Sequence, residues 1–277
     1  MRTTFLLTAL VVSAFTIKAQ TTQTLKQVVE LKMPKTEEDD MPGTRGASVV
    51  WHPVLKKYYA VFAGNQGYPM AVFDEKGKQL SGDEQIAMLD TRGLWYDPVT
   101  KLITGNGYND AGWFTYKLDA KGIPTDFSVV HEGVNQPDPQ SVGAYNPLTK
   151  EVMFLYNGTV YKYNSKAERK DSITIHWGTK KPVGGAQAGA GHDDDEAVGS
   201  EDYNYTSLIY TGVKGSELGF LNSTKNQIEL YNILNGFLTK IVPLPESATV
   251  EASFNFAYTN GIYWLFSIED RKWVGYK

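Results

Sequence analysis

A six-residue turn motif occurs three times in the chain and constrains its fold more than any other feature. Each copy has an aromatic residue, a polar residue, proline, an apolar residue and, two positions further on, lysine. The copies begin at Trp51, Tyr96 and Tyr145, and their prolines are 45 and 49 residues apart. A period of about 40–50 residues is typical of β-propeller blades. Proline after Asp or Asn favours a tight turn, so each motif predicts the end of one strand and the turn into the next.

Short apolar segments follow each motif at the spacing of a four-stranded blade. The predicted second strands are Tyr58–Ala63, Leu102–Gly105 and Val152–Tyr156. The predicted third strands are Met70–Phe73, Trp113–Leu118 and Val160–Tyr163. The predicted fourth strands lie in Gln79–Leu89, Phe127–His131 and Ser172–Trp177. Turn-forming Asp, Asn, Gly and Lys residues separate the third strand from the fourth in these units.

Two further units keep this phase with weaker motifs. The fourth has strands at Ser207–Tyr210, Leu218–Leu221, Ile228–Tyr231 and Phe237–Val242. The fifth has three, at Phe254–Tyr258, Ile262–Phe266 and Lys272–Tyr276. The segment Leu25–Leu31 supplies a strand with nothing before it. We therefore predict an all-β, five-bladed β-propeller whose last blade is completed by the N-terminal strand, which removes an exposed sheet edge. The alternative is a β-sandwich or an open barrel with coincidental spacing.

The aromatic-Asx-Pro-x-Thr-Lys turns at Tyr96 and Tyr145 resemble those of the β-propeller superfamily of secreted proteins. The resemblance is to the superfamily and names no specific family, and the Gly-His and Trp-Asp signatures of WD repeats are not present in phase. Propellers include glycosidases, lactonases, lectins and docking scaffolds, so the resemblance selects no function.

The N-terminus has the pattern of a secretory signal peptide. A positive start precedes the apolar run Phe5–Phe15, and the small residue Ala19 follows it. We predict a signal peptide over residues 1–19 and a single propeller domain over residues 20–277. A buried N-terminal helix is the alternative. The apolar run is about half the length of a membrane span, so no transmembrane helix is expected.

Composition agrees with export and narrows the possible chemistry. The chain has no cysteine, which excludes disulfides, thiolate zinc sites and thiol nucleophiles, and favours a bacterial periplasm or exterior. Loss of Arg2 and Lys18 with the signal peptide takes the formal net charge from −4 to −6. An acidic chain is a poor match to nucleic acid. We predict a secreted or periplasmic monomer with no cofactor and no nucleic-acid partner.

The loops that lead into the innermost strands are long, whereas the turns at the opposite end are short. These loops run about Pro34–Thr44, Gly82–Thr91, Glu132–Gln140, Gly178–Asn204 and Pro243–Val250. Binding usually resides on long irregular loops held by a rigid scaffold. We therefore expect the functional site on this end of the propeller, where most of the loop charges are negative.

Repeat phase places charged and polar residues around the mouth of the channel at that end. The candidate ligand-binding residues are Arg45, Arg92, Asp138, Gln140, Glu201, Asp202 and Glu251. Guanidinium and carboxylate groups together could grip a polar ligand such as a sugar, with aromatic rings stacking on it. The structural alternative is that Arg45 and Arg92 pair with neighbouring acids.

No segment carries a catalytic or metal-binding signature. The contiguous acids at residues 193–196 do not fit the alternating ligands of an EF-hand, and a solvated loop is the preferred interpretation. The four histidines lack the spacing of a zinc protease, and there is no Gly-x-Ser-x-Gly elbow. His52 occupies the turn position of Asp97 and Asn146 and is predicted to be a turn residue. The tryptophans expected in the core are Trp95, Trp113, Trp177, Trp264 and Trp273.

Three functional hypotheses follow from these observations. The first is an exported, non-enzymatic binding propeller that recognises a polar small molecule, a glycan or another exported protein. The second is a glycan-directed hydrolase with two carboxyls about 5–10 Å apart, drawn from Asp138, Asp202 and Glu251. The third is a scaffold that docks another exported protein without a small ligand.

Overall fold

The computed structural model describes residues 24–39, 43–182 and 199–277. The predicted signal peptide and the acidic run at residues 193–196 lie outside these ranges. The described strands are β1 (Gln27–Lys32), β2 (Arg45–His52), β3 (Lys57–Ala63), β4 (Met70–Asp74), β5 (Thr91–Asp97), β6 (Leu102–Gly107), β7 (Trp113–Leu118), β8 (Pro124–His131), β9 (Ala144–Asn146), β10 (Glu151–Tyr156), β11 (Thr159–Tyr163), β12 (Arg169–Thr174), β13 (His176–Lys180), β14 (Ile209–Tyr210), β15 (Leu218–Asn222), β16 (Gln227–Tyr231), β17 (Phe237–Pro243), β18 (Phe256–Thr259), β19 (Ile262–Ser267) and β20 (Lys272–Tyr276). Two short 3-10 helices are Asn109–Ala111 and Ser200–Asp202.

These strands form five sheets that are the blades of a propeller. Blade 1 is β2-β3-β4, blade 2 is β5-β6-β7-β8, and blade 3 is β9-β10-β11-β12. Blade 4 is β14-β15-β16-β17 with β13 added outside, and blade 5 is β18-β19-β20-β1. The prediction of an all-β, five-bladed propeller is confirmed. In the described residues, no helix is long and apolar enough to cross a membrane.

The N-terminal strand closes the ring. Strand β1 pairs antiparallel with β20, in a register that runs from Gln27 opposite Tyr276 to Lys32 opposite Lys272. Leu31 is completely buried in the same core cluster as Trp273. The predicted completion of the last blade by the N-terminal strand is therefore confirmed.

Each pair of neighbouring blades encloses its own hydrophobic core. Strand β3 is a nearly continuous apolar run, and its packing on both faces explains why. Tyr58, Ala60 and Phe62 face the core shared with blade 5. Tyr59 and Val61 face the core shared with blade 2. Side chains alternate across a strand, so a strand packed on both faces has no polar side and loses the alternating pattern of a half-exposed sheet.

Two predicted outer strands differ in the structure. Between residues 79 and 89, blade 1 has isolated bridges at Gln79 and Ile86 in place of a fourth strand. The predicted strand Ser172–Trp177 is divided at Ile175, whose N–H donates to the carbonyl of Gly158. The chain then crosses to blade 4, where β13 lies parallel to β17. Blade 4 consequently has an extra outer strand that the repeat pattern does not show.

We name the two ends of the propeller by their connections. The loop face is the end at which the innermost strands β2, β5, β9, β14 and β18 begin. The turn face is the end at which these strands finish, in short turns that contain Pro in blades 1 to 3 and Gly in blades 4 and 5. His52 behaves as a turn residue there, because its Nδ1 accepts the N–H of Leu55 at 3.2 Å. Burial lowers the pKa of His52, which keeps the ring neutral in this acceptor role.

A repeated Thr-Arg-Gly sequence begins the innermost strands of blades 1 and 2. Its glycine is required by packing in blade 2, because a Cβ on Gly93 would lie 2.5 Å from the backbone nitrogen of Gly143 in blade 3. On Gly46 a Cβ would lie 2.4 Å from the ring of Trp273. The innermost strands therefore approach their neighbours closely at the loop face. The arginine before each glycine lies at the channel mouth.

Candidate functional site

A pocket of about 440 Å³ lies at the channel mouth on the loop face. We call it the mouth pocket. Its side-chain lining comes from all five blades and their entry loops and consists of Thr44, Arg45, Ala63, Tyr68, Arg92, Gln140, Tyr205 and Phe254. Three of the predicted ligand-binding residues, Arg45, Arg92 and Gln140, thus meet in one cavity. Among the described residues no carboxylate belongs to this lining, and its charged side chains are the two arginines.

Arg92 is a fixed part of the mouth pocket. Its side chain is only 5 % exposed and forms an ion pair with Asp90. Its Nε donates to Oε1 of Gln140 at 2.9 Å. The guanidinium also lies over the rings of Tyr108 and Phe254, at 4.5 and 5.6 Å from their centroids. Because these partners use most of its donors, Arg92 positions Gln140 and Phe254 and has little capacity left for a ligand.

Arg45 is the accessible cation of the mouth pocket. Its side chain is exposed, and no hydrogen bond or ion pair joins it to another residue in the described ranges. The ion pairing considered for Arg45 is therefore not seen among these residues. An unpaired guanidinium presents five N–H donors in a planar fork that matches a carboxylate or phosphate.

Phe254 reaches the mouth pocket through an unusual backbone. Phe254 and Asn255 are both left-handed, with φ of 50° and 57°. The Phe254 N–H donates to Oγ1 of Thr206 at 2.7 Å, and Nδ2 of Asn204 donates to the Phe254 carbonyl at 2.8 Å. Asn tolerates this conformation, but Phe is rarely found in it. Such strain persists where surrounding hydrogen bonds enforce it, and it often marks a functional position.

A second pocket of about 430 Å³ adjoins the first, between blades 3 and 4. We call it the side pocket. The side chains relevant to binding are Asp138, Gln140, Tyr156, Trp177, Glu201 and Tyr205. Gln140 and Tyr205 line both pockets. Tyr205 is 61 % exposed, and its backbone N–H donates to the carbonyl of Ala252 at 2.9 Å. The two pockets therefore adjoin at Gln140 and Tyr205, and we refer to them together as the groove, with Arg45 in one half and Asp138 and Glu201 in the other.

Asp202 and Glu251 lie outside the lining of both pockets. Asp202 ends the 3-10 helix Ser200–Asp202, and its carbonyl accepts the N–H of Ser223. The Glu251 carbonyl accepts from Asn204 Nδ2 at 2.9 Å. Repeat phase predicted that Glu201 or Asp202 and Glu251 would lie at the channel mouth. Tyr205 and Phe254, three or four residues further along the chain, lie there instead. The weak motifs of blades 4 and 5 gave no signal for this offset.

Four of the tryptophans predicted to lie in the core are buried there, and the fifth lines the side pocket. Trp95, Trp113, Trp264 and Trp273 are buried, as predicted. Trp177 is half-buried and packs on Tyr203, with ring centroids 4.2 Å apart. Trp177 also lines the side pocket. The prediction of a purely structural role does not describe Trp177, which presents part of its ring to a cavity.

A third cavity, of about 390 Å³, occupies the turn-face end of the channel. One aromatic residue from each blade lines it, and each immediately precedes an innermost turn. These residues are Trp51, Tyr96, Tyr145, Tyr210 and Tyr258. All five are half-buried. The aromatic position of the sequence motif therefore lines the channel at this end.

Tyr145 in this cavity gives a prediction for alkaline pH. Burial, assisted by the nearby Asp97 carboxylate, raises the pKa of Tyr145 to about 12. The unfolded chain ionises this hydroxyl near its ordinary pKa of 10.0, so ionisation favours the unfolded state above that pH. We expect the Tm to be nearly constant below pH 9 and to fall between pH 10 and 12, and Tyr145→Phe to reduce that fall. An equal fall in Tyr145→Phe would contradict this assignment.

Within the described residues, no group of three or more His, Asp or Glu side chains is placed to hold a metal ion. The acids at residues 193–196 lie outside those ranges.

Comparisons with known proteins support the fold. No protein-family model matches the chain, and no curated protein sequence is similar to it. Among solved structures, the chain is similar to a glutaminyl cyclase from Myxococcus xanthus, with a TM-score of 0.51 and 7 % identity over 92 % of this chain and 96 % of that one. A β-propeller domain from Myceliophteria thermophila gives a TM-score of 0.47 and 8 % identity over 91 % of this chain and 99 % of the other. At this identity the likeness to the cyclase shows a shared fold, and a propeller is a scaffold suited to binding or interaction.

Proposed function

We propose that the protein is an exported binding propeller that recognises a glycan carrying a carboxylate, in the groove formed by the mouth and side pockets. The observation that carries this proposal is exposed Tyr205, which lines both pockets. Arg45, which has no ion-pair partner among the described residues, lies on one side of it, and Asp138 and Glu201 lie on the other. The predicted signal peptide supports export.

Each half of the groove matches one part of such a ligand. In the basic half, the Arg45 guanidinium supplies the charge and the forked donors for a sugar carboxylate. In the acidic half, Asp138 and Glu201 can accept hydrogen bonds from sugar hydroxyls. The rings of Tyr156, Trp177 and Tyr205 offer partly exposed apolar surface, against which the C–H faces of a pyranose can be buried.

Substitution of Arg45 tests the basic half. We expect Arg45→Gln to weaken binding of uronic-acid oligosaccharides by about tenfold to a hundredfold, because a charge-assisted hydrogen bond contributes about 1.5–3 kcal/mol. Tyr205→Ala should weaken acidic and neutral oligosaccharides alike, by about tenfold, through loss of apolar contact. Titration calorimetry with matched uronic-acid and neutral oligosaccharides measures both effects.

The control is Arg169→Gln, which removes the same charge from the outer strand β12, away from the groove. This variant should bind like the unmodified chain. The proposal fails if neither oligosaccharide class binds, or if Arg45→Gln and Arg169→Gln reduce affinity equally.

Glycan hydrolysis is retained as a second candidate because Asp138 and Glu201 line one pocket. A hydrolase needs such a pair on opposite sides of the scissile bond. Mass spectrometry of oligosaccharides incubated with the protein distinguishes the two functions. Shortened products that disappear in Glu201→Gln would support hydrolysis, whereas unchanged oligosaccharides that remain bound would support recognition alone.

A further inference from the structure

The turn face carries exposed aliphatic side chains at equivalent positions of four blades. In each innermost turn of blades 1 to 4, the residue after the Pro or Gly is aliphatic and projects into solvent. These residues and their exposures are Val54 at 66 %, Val99 at 62 %, Leu148 at 81 % and Val213 at 53 %. Exposed aliphatic residues are unremarkable when scattered, but a set repeated around one axis marks an interaction surface.

Each of these turns also carries an exposed lysine. The four are Lys56, Lys101, Lys150 and Lys214. Within the described ranges, none of the four ammonium groups has a hydrogen-bond or ion-pair partner. Blade 5 has the short turn at Gly261, and the Nζ of Lys277 lies 4.0 Å from the position that a Cβ on Gly261 would take. We call the four aliphatic residues, the four lysines and Lys277 the lysine–aliphatic ring.

Three of the lysines occupy a conformation that disfavours them. Lys56, Lys101 and Lys150 have φ of 53°, 61° and 58°. The left-handed region disfavours a residue with a Cβ, whereas glycine adopts it without this penalty. The equivalent turn of blade 5 does use glycine, at Gly261. The presence of lysine at three strained positions indicates that a positive charge is useful there.

The acids of the same turns accept local hydrogen bonds and form no ion pair with these lysines among the described residues. Asp97 accepts from the N–H of Val99 at 2.9 Å and from Oγ1 of Thr100 at 3.0 Å. Glu151 accepts from Oγ1 of Thr149 at 2.7 Å. Glu217 accepts from the N–H of Gly215 at 2.7 Å. The lysine ammonium groups remain available to a partner outside the chain.

We propose that the lysine–aliphatic ring docks the turn face onto an anionic lipid surface. Equivalent positions of successive blades lie at similar heights on a propeller, so the aliphatic tips define a plane, and a bilayer is a flat partner. Lysines attract acidic headgroups while aliphatic side chains enter the interfacial region. The chain as a whole has a formal net charge of −4, so the same membrane repels its other surfaces and orients the loop face outward.

Vesicle co-sedimentation of the purified protein tests the proposal. Phosphatidylcholine vesicles with and without phosphatidylglycerol serve as the probes. We expect binding that needs phosphatidylglycerol and weakens as salt is added. Each lysine near an anionic surface is worth about fivefold in affinity, so the triple variant Lys56→Gln, Lys101→Gln, Lys150→Gln should bind about a hundredfold more weakly.

The matched control removes the same charge elsewhere, with Lys32→Gln, Lys225→Gln and Lys240→Gln, three exposed lysines outside the ring. This control should bind like the unmodified chain. Leu148→Ser should weaken binding about tenfold through lost apolar contact. Val134→Ser, on the loop face, should have no effect. Unchanged thermal melts establish that all variants remain folded.

Three outcomes overturn the proposal. The first is no sedimentation with phosphatidylglycerol vesicles at low salt. The second is an equal loss in the two triple variants, which indicates attraction without a defined surface. The third is an absence of vesicle binding together with a protein crosslinked through Lys101, which assigns the ring to a protein partner.

Discussion

Removal of the chain up to and including Leu31 is expected to abolish cooperative folding. The deletion takes β1 away from β20 and exposes the edge of blade 5. It also removes Leu31, which is completely buried against Trp273. Loss of one such core side chain costs about 2–5 kcal/mol, and a domain has a stability of about 5–15 kcal/mol. Loss of a whole strand with its hydrogen bonds should exceed that margin. Circular dichroism during heating and urea unfolding measure the result.

Two controls make this expectation specific. A chain that lacks only residues 1–19 should melt cooperatively. A synthetic peptide of residues 24–34 added to the truncated chain should restore a melting transition, and the same peptide with Leu31→Asp should not. A truncated chain that melts cooperatively without peptide would refute the structural role of β1.

The second large effect is expected from a single methyl group. In Gly93→Ala the new Cβ meets the backbone nitrogen of Gly143 at 2.5 Å and its carbonyl oxygen at 2.9 Å. Backbone atoms cannot move aside as the end of a side chain can, so blades 2 and 3 must separate. Overpacking of this kind costs about 3 kcal/mol, or roughly 6–12 °C in Tm for a chain of this size.

Gly82→Ala is the matched control, since a Cβ there has nothing within 4 Å. The Tm of Gly82→Ala should be unchanged or slightly raised, because alanine allows the unfolded chain fewer conformations than glycine does. A Tm for Gly93→Ala equal to that of Gly82→Ala would show that the blades accommodate the methyl group. Because Arg92 precedes Gly93, the destabilised variant should also bind ligand less well in the mouth pocket.

The sequence predicted the architecture because its turn chemistry is local. A Pro-x-Thr-Lys turn specifies the backbone of a few residues, and its repetition shows the blade period without knowledge of distant contacts. The outer strands were predicted less well. After Ile175 the chain leaves blade 3, and β13 joins β17 in parallel. That choice depends on the partner available in blade 4, which no local pattern contains.

The residues of the candidate site were likewise predicted where a local motif marks them and missed where long-range contacts place them. Arg45 and Arg92 were identified because they belong to a repeated Thr-Arg-Gly sequence just before two innermost strands. Phe254 was not, because its ring reaches the mouth pocket through a left-handed backbone held by Thr206 and Asn204. Tyr205 was missed because no motif marks the start of β14. Positions specified by long-range hydrogen bonds leave no periodic trace in a sequence.

The pairing of β1 with β20 has a consequence for the order of events during biosynthesis. Strand β1 is synthesised long before its partner β20. Gln27 therefore cannot form its strand pairing until Tyr276 has been synthesised. Contacts between such distant residues form slowly, because the intervening chain must first be brought together. Until Tyr276 has been synthesised, the polypeptide therefore lacks the strand pairing that closes its ring, and blade 5 keeps an open edge.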